Sequence, residues 1–155
     1  MQVHPDSAKI GFPPPLIYLG ILLLGFAWTG LTGRLGPAGT LSIWTGGAFL
    51  LMGAGVIIAG SERFRSMGTE VKPWLPATHL VTTGIYRFTR NPMYLGMAIL
   101  YTGLAIFLDS FTALLLLPVA ILLVRTQVIA REERYLLGRF GADYVAYKKS
   151  VPRWF

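Results

Sequence analysis

The chain has 155 residues, enough for one domain, and 54% of them are hydrophobic while only 14% are charged. A soluble fold of this size would expose too much apolar surface, so the composition indicates an integral membrane protein. The absence of cysteine excludes disulfides, thiolate metal sites and cysteine nucleophiles. The net charge of +7 is more typical of a membrane face in contact with anionic lipid than of nucleic-acid binding, and no nucleic-acid recognition module is visible.

Apolar segments in chain order predict an all-α membrane protein with four transmembrane helices in a single domain, residues 1–155. Each segment is near the length that spans a bilayer, and a tight turn at Asp109 and Ser110 makes the last two an antiparallel hairpin. The first segment follows a poor signal-peptide n-region and lacks a clear cleavage site, so we expect a retained helix. The predicted spans are residues 16–31, 41–60, 92–108 and 111–129.

Glycines recur every seven residues in two of these segments. Gly46, Gly53 and Gly60 lie in the second segment, and Gly96 and Gly103 lie in the third. A stripe of small residues lets membrane helices approach closely. The pattern predicts close helix packing and is also compatible with a homodimer.

Two polar stretches, a loop at residues 61–91 and a tail at residues 130–155, carry most of the basic residues. The turn between the first two spans has one basic residue, Arg34, and the turn between the last two has none. The positive-inside rule therefore places both stretches and both termini in the cytoplasm, and the compact chain favours a prokaryotic plasma membrane. A polar connection of this length in so small a protein is typical of a functional loop.

The loop ends in a polar junction with the third span. Asn91 suits a helix N-cap and Pro92 suits the first helical position, so a helix is predicted to begin here. The partial positive charge of its N-terminus, close to Arg90, favours an anionic group. Polar residues at such a place in a membrane protein are costly unless they have a function.

The tail begins with two carboxylates on one apolar helix face. At 100° per residue, Glu132 and Glu133 share this face, and the tail is predicted to be helical until about Gly138 or Gly141. Buried carboxylates need partners. They either face a pocket for an ammonium, a hydroxyl or a cation, or they reach the surface and pair with arginines such as Arg125 or Arg139.

Aromatic residues alternate with basic residues at the end of the chain. Tyr144, Tyr147 and Trp154 lie among Lys148 and Lys149. This composition is typical of interfacial anchors at the level of the lipid headgroups.

Together these residues resemble the family of integral membrane methyltransferases that includes isoprenylcysteine carboxyl methyltransferase and the phospholipid methyltransferases. The family pattern is roughly LVT-x-G-x-Y, R-H-P-x-Y-x-G, an apolar hairpin, E-E and F-G-x-x-Y-x-x-Y-x-x-x-V-P. The resemblance extends from Thr78 to Pro152. Its matching residues are Leu80, Val81, Thr82, Gly84, Tyr86, Arg90, Pro92, Tyr94, Gly96, Glu132, Glu133, Phe140, Gly141, Tyr144, Tyr147, Val151 and Pro152.

The resemblance implies that S-adenosylmethionine binds between loop and tail, with its methyl group directed toward a lipid or other amphiphilic acceptor. Methyl transfer from a sulfonium requires alignment and exclusion of water more than acid–base help, so no catalytic base and no metal is expected. Arg90 and Glu133 are the candidate catalytic residues. The implied cofactor-binding residues are Thr78, His79, Leu80, Val81, Tyr86, Asn91, Pro92, Met93, Tyr94 and Glu132.

Two departures from the family pattern leave the acceptor open. Asn91 stands where the carboxyl methyltransferases have histidine, although asparagine can still donate a hydrogen bond. Val128 stands at the position where the similar carboxyl methyltransferases have an arginine that would hold the substrate carboxylate. Arg125 or Arg131 could take the place of that arginine. A prenylcysteine carboxylate, a phospholipid amine and another small amphiphile are all compatible with this sequence.

Two further hypotheses concern other classes of protein. Sterol reductases that use NADPH resemble the same C-terminal stretch, but they are much larger and have more spans. A membrane scaffold or lipid-binding module without catalysis is the other alternative. The substitution Glu132→Ala distinguishes a scaffold from an enzyme, because a scaffold should retain its function after this change and a cofactor site should lose its ligand.

Overall fold

The computed structural model describes residues 4–32 and 40–154. Within these ranges the chain is all-α and has no β-strand, which confirms the predicted class. Most of the predicted turn at residues 32–40 lies outside the described residues. The helices are α1 (Pro15–Thr32), α2 (Thr40–Ser66), α3 (Pro92–Phe107), α4 (Phe111–Val124) and α5 (Ala130–Ser150), and a π turn, Arg125–Ile129, joins the last two.

Within the described residues, two helices are long and apolar enough to cross a membrane. They are Thr40–Ser66 and the continuous helix Phe111–Ser150, while α1 and α3 are shorter apolar helices. Large apolar side chains point outward, as expected where lipid replaces protein: Trp44 is 73% exposed and Leu51 is 79% exposed. The helices overlap the four predicted spans, but four membrane crossings stay a prediction.

The glycine stripes lie at the contact between α2 and α3. A Cβ atom at Gly53 would lie 2.8 Å from the carbonyl oxygen of Gly96, and one at Gly96 would lie 2.9 Å from the carbonyl oxygen of Gly53. Gly46 and Gly103 face each other in the same way. The predicted close packing is confirmed, and because these glycines are used within the chain, a homodimer would need another surface.

Helix α2 extends beyond the predicted membrane span, and α5 contains a kink. The second predicted span ends at residue 60, but α2 continues to Ser66 and brings Arg63 against the 3₁₀ turn Gly84–Arg87. The helical tail extends to Ser150, but Gly141 has the non-helical angles φ +52° and ψ −119°, which divide α5 into two helices at a kink. This left-handed conformation is accessible to glycine, which lacks a Cβ atom. The predicted end of the first tail helix near Gly138 or Gly141 is therefore confirmed.

The polar segments are fastened to α5. The hydroxyl of Tyr135 accepts a 2.9 Å hydrogen bond from the backbone N–H of Ala77 in the loop. Near the N-terminus, Asp6 forms a 2.9 Å ion pair with Arg139, and the backbone N–H of His4 donates to the carbonyl of Trp74. These contacts hold the N-terminal segment and the loop over the first turns of α5, where they enclose a cavity.

Candidate functional site

The cavity lies between the loop, the start of α3 and the start of α5. The part of this cavity that is accessible to water has a volume of about 100 Å³. Apolar and aromatic side chains form much of its wall, with a few polar groups among them. The predicted site residues that line it are His79, Leu80, Val81, Tyr86, Arg90, Asn91, Met93, Tyr94, Glu132 and Glu133.

Two predicted cofactor-binding residues do not line the cavity. Thr78 is exposed, and its hydroxyl donates a 3.1 Å hydrogen bond to the carbonyl of Gly68. Pro92 is fully buried in the first turn of α3. Their role in cofactor binding stays a prediction.

Arg90 and Glu133, which both line the cavity, form an ion pair. Nη1 of Arg90 lies 2.9 Å from Oε1 of Glu133, and the two side chains are 9% and 13% exposed. The guanidinium of Arg153 binds both oxygens of the same carboxylate. Burial alone would raise the pKa of Glu133, but the hydrogen bonds from Arg153 and the charge of Arg90 outweigh it and hold the pKa below its usual value. Glu133 is therefore a fixed anion.

Glu132 has the opposite electrostatic environment. Its Oε1 accepts a 2.6 Å hydrogen bond from the hydroxyl of Tyr94, and no ion pair is found for it among the described residues. Burial raises the pKa of Glu132 to about 7, although the hydrogen bond from Tyr94 lowers it and the charge of Glu133 raises it further. A cationic or hydroxyl-bearing ligand would supply the partner that this carboxylate lacks.

Two buried polar atoms in the cavity wall have no hydrogen-bond partner in the described part of the chain. They are the hydroxyl of Tyr86 and Nε of Arg90. Buried polar groups are nearly always paired, so such atoms indicate a polar ligand or water. A ligand that carries a carboxylate, an ammonium and hydroxyls fits this set of donors and acceptors.

Asn91 is the N-cap residue of α3 and Pro92 is its first residue, which confirms the predicted start of this helix. The side chain of Asn91 caps no helical N–H and instead donates through Nδ2 to the carbonyl of Arg153 at 3.0 Å. Asn91 therefore fastens the end of the chain to the cavity wall.

The interpretation of Tyr144 and Tyr147 as interfacial anchors is wrong. Both rings are buried and line the cavity, and the hydroxyl of Tyr147 donates a 2.7 Å hydrogen bond to the carbonyl of Tyr86. The bend at Gly141 turns this part of α5 back toward the loop. Their place in the family pattern was the signal that could have identified them as site residues.

The arginines considered as substitutes for the residue missing at Val128 do not line the cavity. Val128 is fully buried in the core, Arg125 is exposed, and Arg131 donates a 3.3 Å hydrogen bond to Gln127. The alternative pairing of the tail acids with Arg125 or Arg139 is also absent within the described residues. Arg90 and Arg153 are the arginines that meet Glu133.

Comparison with known proteins adds independent evidence. Protein-S-isoprenylcysteine O-methyltransferase of Schizosaccharomyces pombe is 40% identical over 73 residues, which cover 47% of this chain and 31% of that protein. Protein-S-isoprenylcysteine O-methyltransferase B of Arabidopsis thaliana is 34% identical over 47% of this chain and 37% of that protein. The nickel-cobalt-cadmium resistance protein NccN of Alcaligenes xylosoxydans xylosoxydans is 34% identical over 51% of this chain and 37% of that protein.

The matched region thus spans roughly a third of each of these curated relatives. No solved structure matches the chain. Residues 41–143 match the phospholipid methyltransferase family, and this range contains α3, α4, all of α2 except its first residue and all twelve predicted site residues. The chain belongs to the phospholipid methyltransferase family.

Proposed function

We propose that the chain binds S-adenosylmethionine in the cavity and catalyses methyl transfer to a lipid-like or prenylcysteine-like acceptor at the membrane surface. The observation that carries the proposal is that Glu132 and the Arg90–Glu133 pair line one cavity, two of whose lining residues have a buried polar atom without a partner in the described part of the chain. S-adenosylmethionine supplies a methyl group on a sulfonium sulfur, which is already a good leaving group.

The polar residues of the wall would hold the cofactor. Glu132 would accept a hydrogen bond from an ammonium or a hydroxyl, because within residues 4–32 and 40–154 the neutral Tyr94 is the only donor to its carboxylate. The free Nε of Arg90 and the hydroxyl of Tyr86 would meet further polar groups. Since these side chains are largely buried, each contact is made in a medium where electrostatic interactions are strong.

The apolar residues would orient the reactants and exclude water. Leu80, Val81 and Leu136 lie in the wall beside Tyr144. Alignment and exclusion of water are the main requirements of methyl transfer from an activated donor. No general base is assigned, and Arg90 and Glu133 act by electrostatic organisation of the site.

The setting that we propose is a prokaryotic plasma membrane crossed four times, with both termini in the cytoplasm. The basic residues of the loop and the tail support this orientation through the positive-inside rule. The cavity is built from this loop and tail, so it would lie at the cytoplasmic surface, within reach of acceptors whose tails are in the bilayer.

An assay of methyl transfer tests the activity. Detergent-purified protein is mixed with S-adenosylmethionine that carries a labelled methyl group, and with either a farnesylcysteine derivative or vesicles containing phosphatidylethanolamine. We expect label in the lipid-extractable product of at least one acceptor, and its loss in Glu132→Ala. Binding of the cofactor without transfer to any amphiphile would favour the scaffold hypothesis instead.

A further inference from the structure

Arg153 lies just after α5 and does not line the cavity, but its side chain binds Glu133, which does. Its Nε donates to Oε1 of Glu133 at 2.9 Å and its Nη2 donates to Oε2 at 2.6 Å. Two parallel hydrogen bonds from a planar guanidinium fix both the position and the rotation of a carboxylate. The side chain of Arg153 is 29% exposed, whereas that of Glu133 is 13% exposed.

The backbone around Arg153 forms hydrogen bonds with the segment that precedes α3. Its carbonyl accepts hydrogen bonds from the hydroxyl of Thr89 and the amide of Asn91, each at 3.0 Å. The carbonyl of Pro152 accepts from the backbone N–H of Arg90 at 3.0 Å. The C-terminal segment therefore contacts Arg90 and the residues on either side of it.

The side chains complete a chain of contacts from Arg153 to the cavity. Glu133 shares its Oε1 between Arg153 and Nη1 of Arg90, and Nε of Arg90 is buried without a partner. If Arg153 is removed, the carboxylate of Glu133 can rotate toward Arg90 as its remaining cation. Such a rotation would draw the guanidinium of Arg90 away from the position in which it faces a ligand.

We propose that Arg153 is a positioning residue of the ligand site, which holds Glu133 so that Glu133 can hold Arg90. This inference rests on the proposed function, since it concerns the binding of an adenosyl ligand in the same cavity. The inference predicts that Arg153 affects ligand binding through Glu133 and does not contact the ligand. A residue that only fastens the C-terminal segment would act independently of Glu133.

A double-mutant cycle separates these two roles. Binding of S-adenosylhomocysteine to the full-length, detergent-purified protein is measured by calorimetry for the wild type, Arg153→Gln, Glu133→Gln and the double variant. Arg134→Gln is the matched control, because it also removes one positive charge. Arg134 lies next to Glu133 in the sequence and is exposed on α5. Glutamine at position 133 retains one acceptor oxygen for Arg90, so part of the site is kept.

We expect Arg153→Gln to weaken binding by roughly tenfold, the effect of losing one charge-assisted hydrogen-bonded pair. In the Glu133→Gln background the same change should weaken binding by less than about twofold, because residues that act as a unit are non-additive. Arg153→Lys should give an intermediate loss, since lysine offers a point charge without the planar fork. Arg134→Gln should bind like the wild type.

Two results overturn the inference. One is wild-type affinity in Arg153→Gln, and the other is a loss that is undiminished when Glu133 is already glutamine. If Arg153→Gln does not fold, Arg153→Lys takes its place in the cycle with the same criteria. Absence of binding in the wild type itself would reject the proposed function, and with it this inference, so the two failures are distinguishable.

Discussion

The hydroxyl of Tyr94 donates a hydrogen bond of 2.6 Å to Oε1 of Glu132 and so joins the first turn of α3 to the first turn of α5. The carboxylate is held in place by this neutral donor, while the neighbouring Glu133 is held by two arginines. Adjacent acids thus have different charge states near neutral pH. Glu133 is a permanent anion, and Glu132 is able to change its protonation when a ligand binds.

The first prediction concerns pH and stability. Burial raises the pKa of Glu132 from 4.5 to about 7, so the folded state binds its proton more tightly than the unfolded state. The stabilisation of the folded state that results from this tighter proton binding is fully present below pH 4.5 and is lost as pH rises to about 7. The loss is on the order of 3 kcal/mol, because each pKa unit corresponds to about 1.4 kcal/mol.

Thermal unfolding of the ligand-free protein in detergent checks this prediction. Relative to the wild type, Glu132→Gln should become more stable as the pH is raised from 5 to 8, since glutamine carries no charge to bury. A stability difference between the two proteins that does not change over this range would contradict the assignment of a raised pKa to Glu132.

The second prediction concerns the donor of that hydrogen bond. Tyr94→Phe removes a bond that favours the ionised form of Glu132, so its pKa should rise and the affinity for S-adenosylhomocysteine at pH 7 should fall by about five- to tenfold. Tyr18→Phe is the matched control, because the hydroxyl of Tyr18 bonds to the carbonyl of Tyr94 outside the cavity. Equal losses in both variants would show that the effect is not specific to Glu132.

The third prediction concerns the contact between α2 and α3. Gly96→Val should destabilise the fold by about 1–3 kcal/mol, because its side chain meets Ile57 and the backbone of Gly53. Gly55→Val should be nearly neutral, since no atom lies within 4 Å of a Cβ at Gly55. Unfolding in a mixed detergent compares the variants, and a similar change for both would contradict the assigned packing of the two helices.

The fourth prediction concerns the bend in α5. Gly141→Ala should cost about 1–3 kcal/mol, because Gly141 has φ +52° and ψ −119°, a conformation that alanine rarely adopts. Gly138→Ala should be neutral or stabilising, since Gly138 is helical and open space surrounds it. The bend also places Tyr144 and Tyr147 in the cavity, so the affinity of Gly141→Ala for S-adenosylhomocysteine should fall while that of Gly138→Ala is retained. Equal affinities would contradict the role of the bend.

Apolar segment length and helix periodicity were sufficient to predict the helices and to place Glu132 and Glu133 on one face. Periodicity is a local property, so it could not reveal that Arg153 pairs with Glu133 or that Asn91 bonds to the end of the chain. Gly141 illustrates a second limit. A glycine at this position predicts a helix end, and the first tail helix does end at Gly141. The local pattern could not show that a second helix follows the kink and packs Tyr144 and Tyr147 against the loop.

The central claim is that the cavity between loop and tail is an S-adenosylmethionine site that depends on Glu132. Calorimetric titration of the detergent-purified protein with S-adenosylmethionine, S-adenosylhomocysteine and NADPH, alongside Glu132→Ala, tests it most directly. We predict that both adenosyl ligands bind to the wild type, that the variant loses them, and that NADPH does not bind. Binding of NADPH alone, or adenosyl binding that is unchanged in Glu132→Ala, would contradict the account.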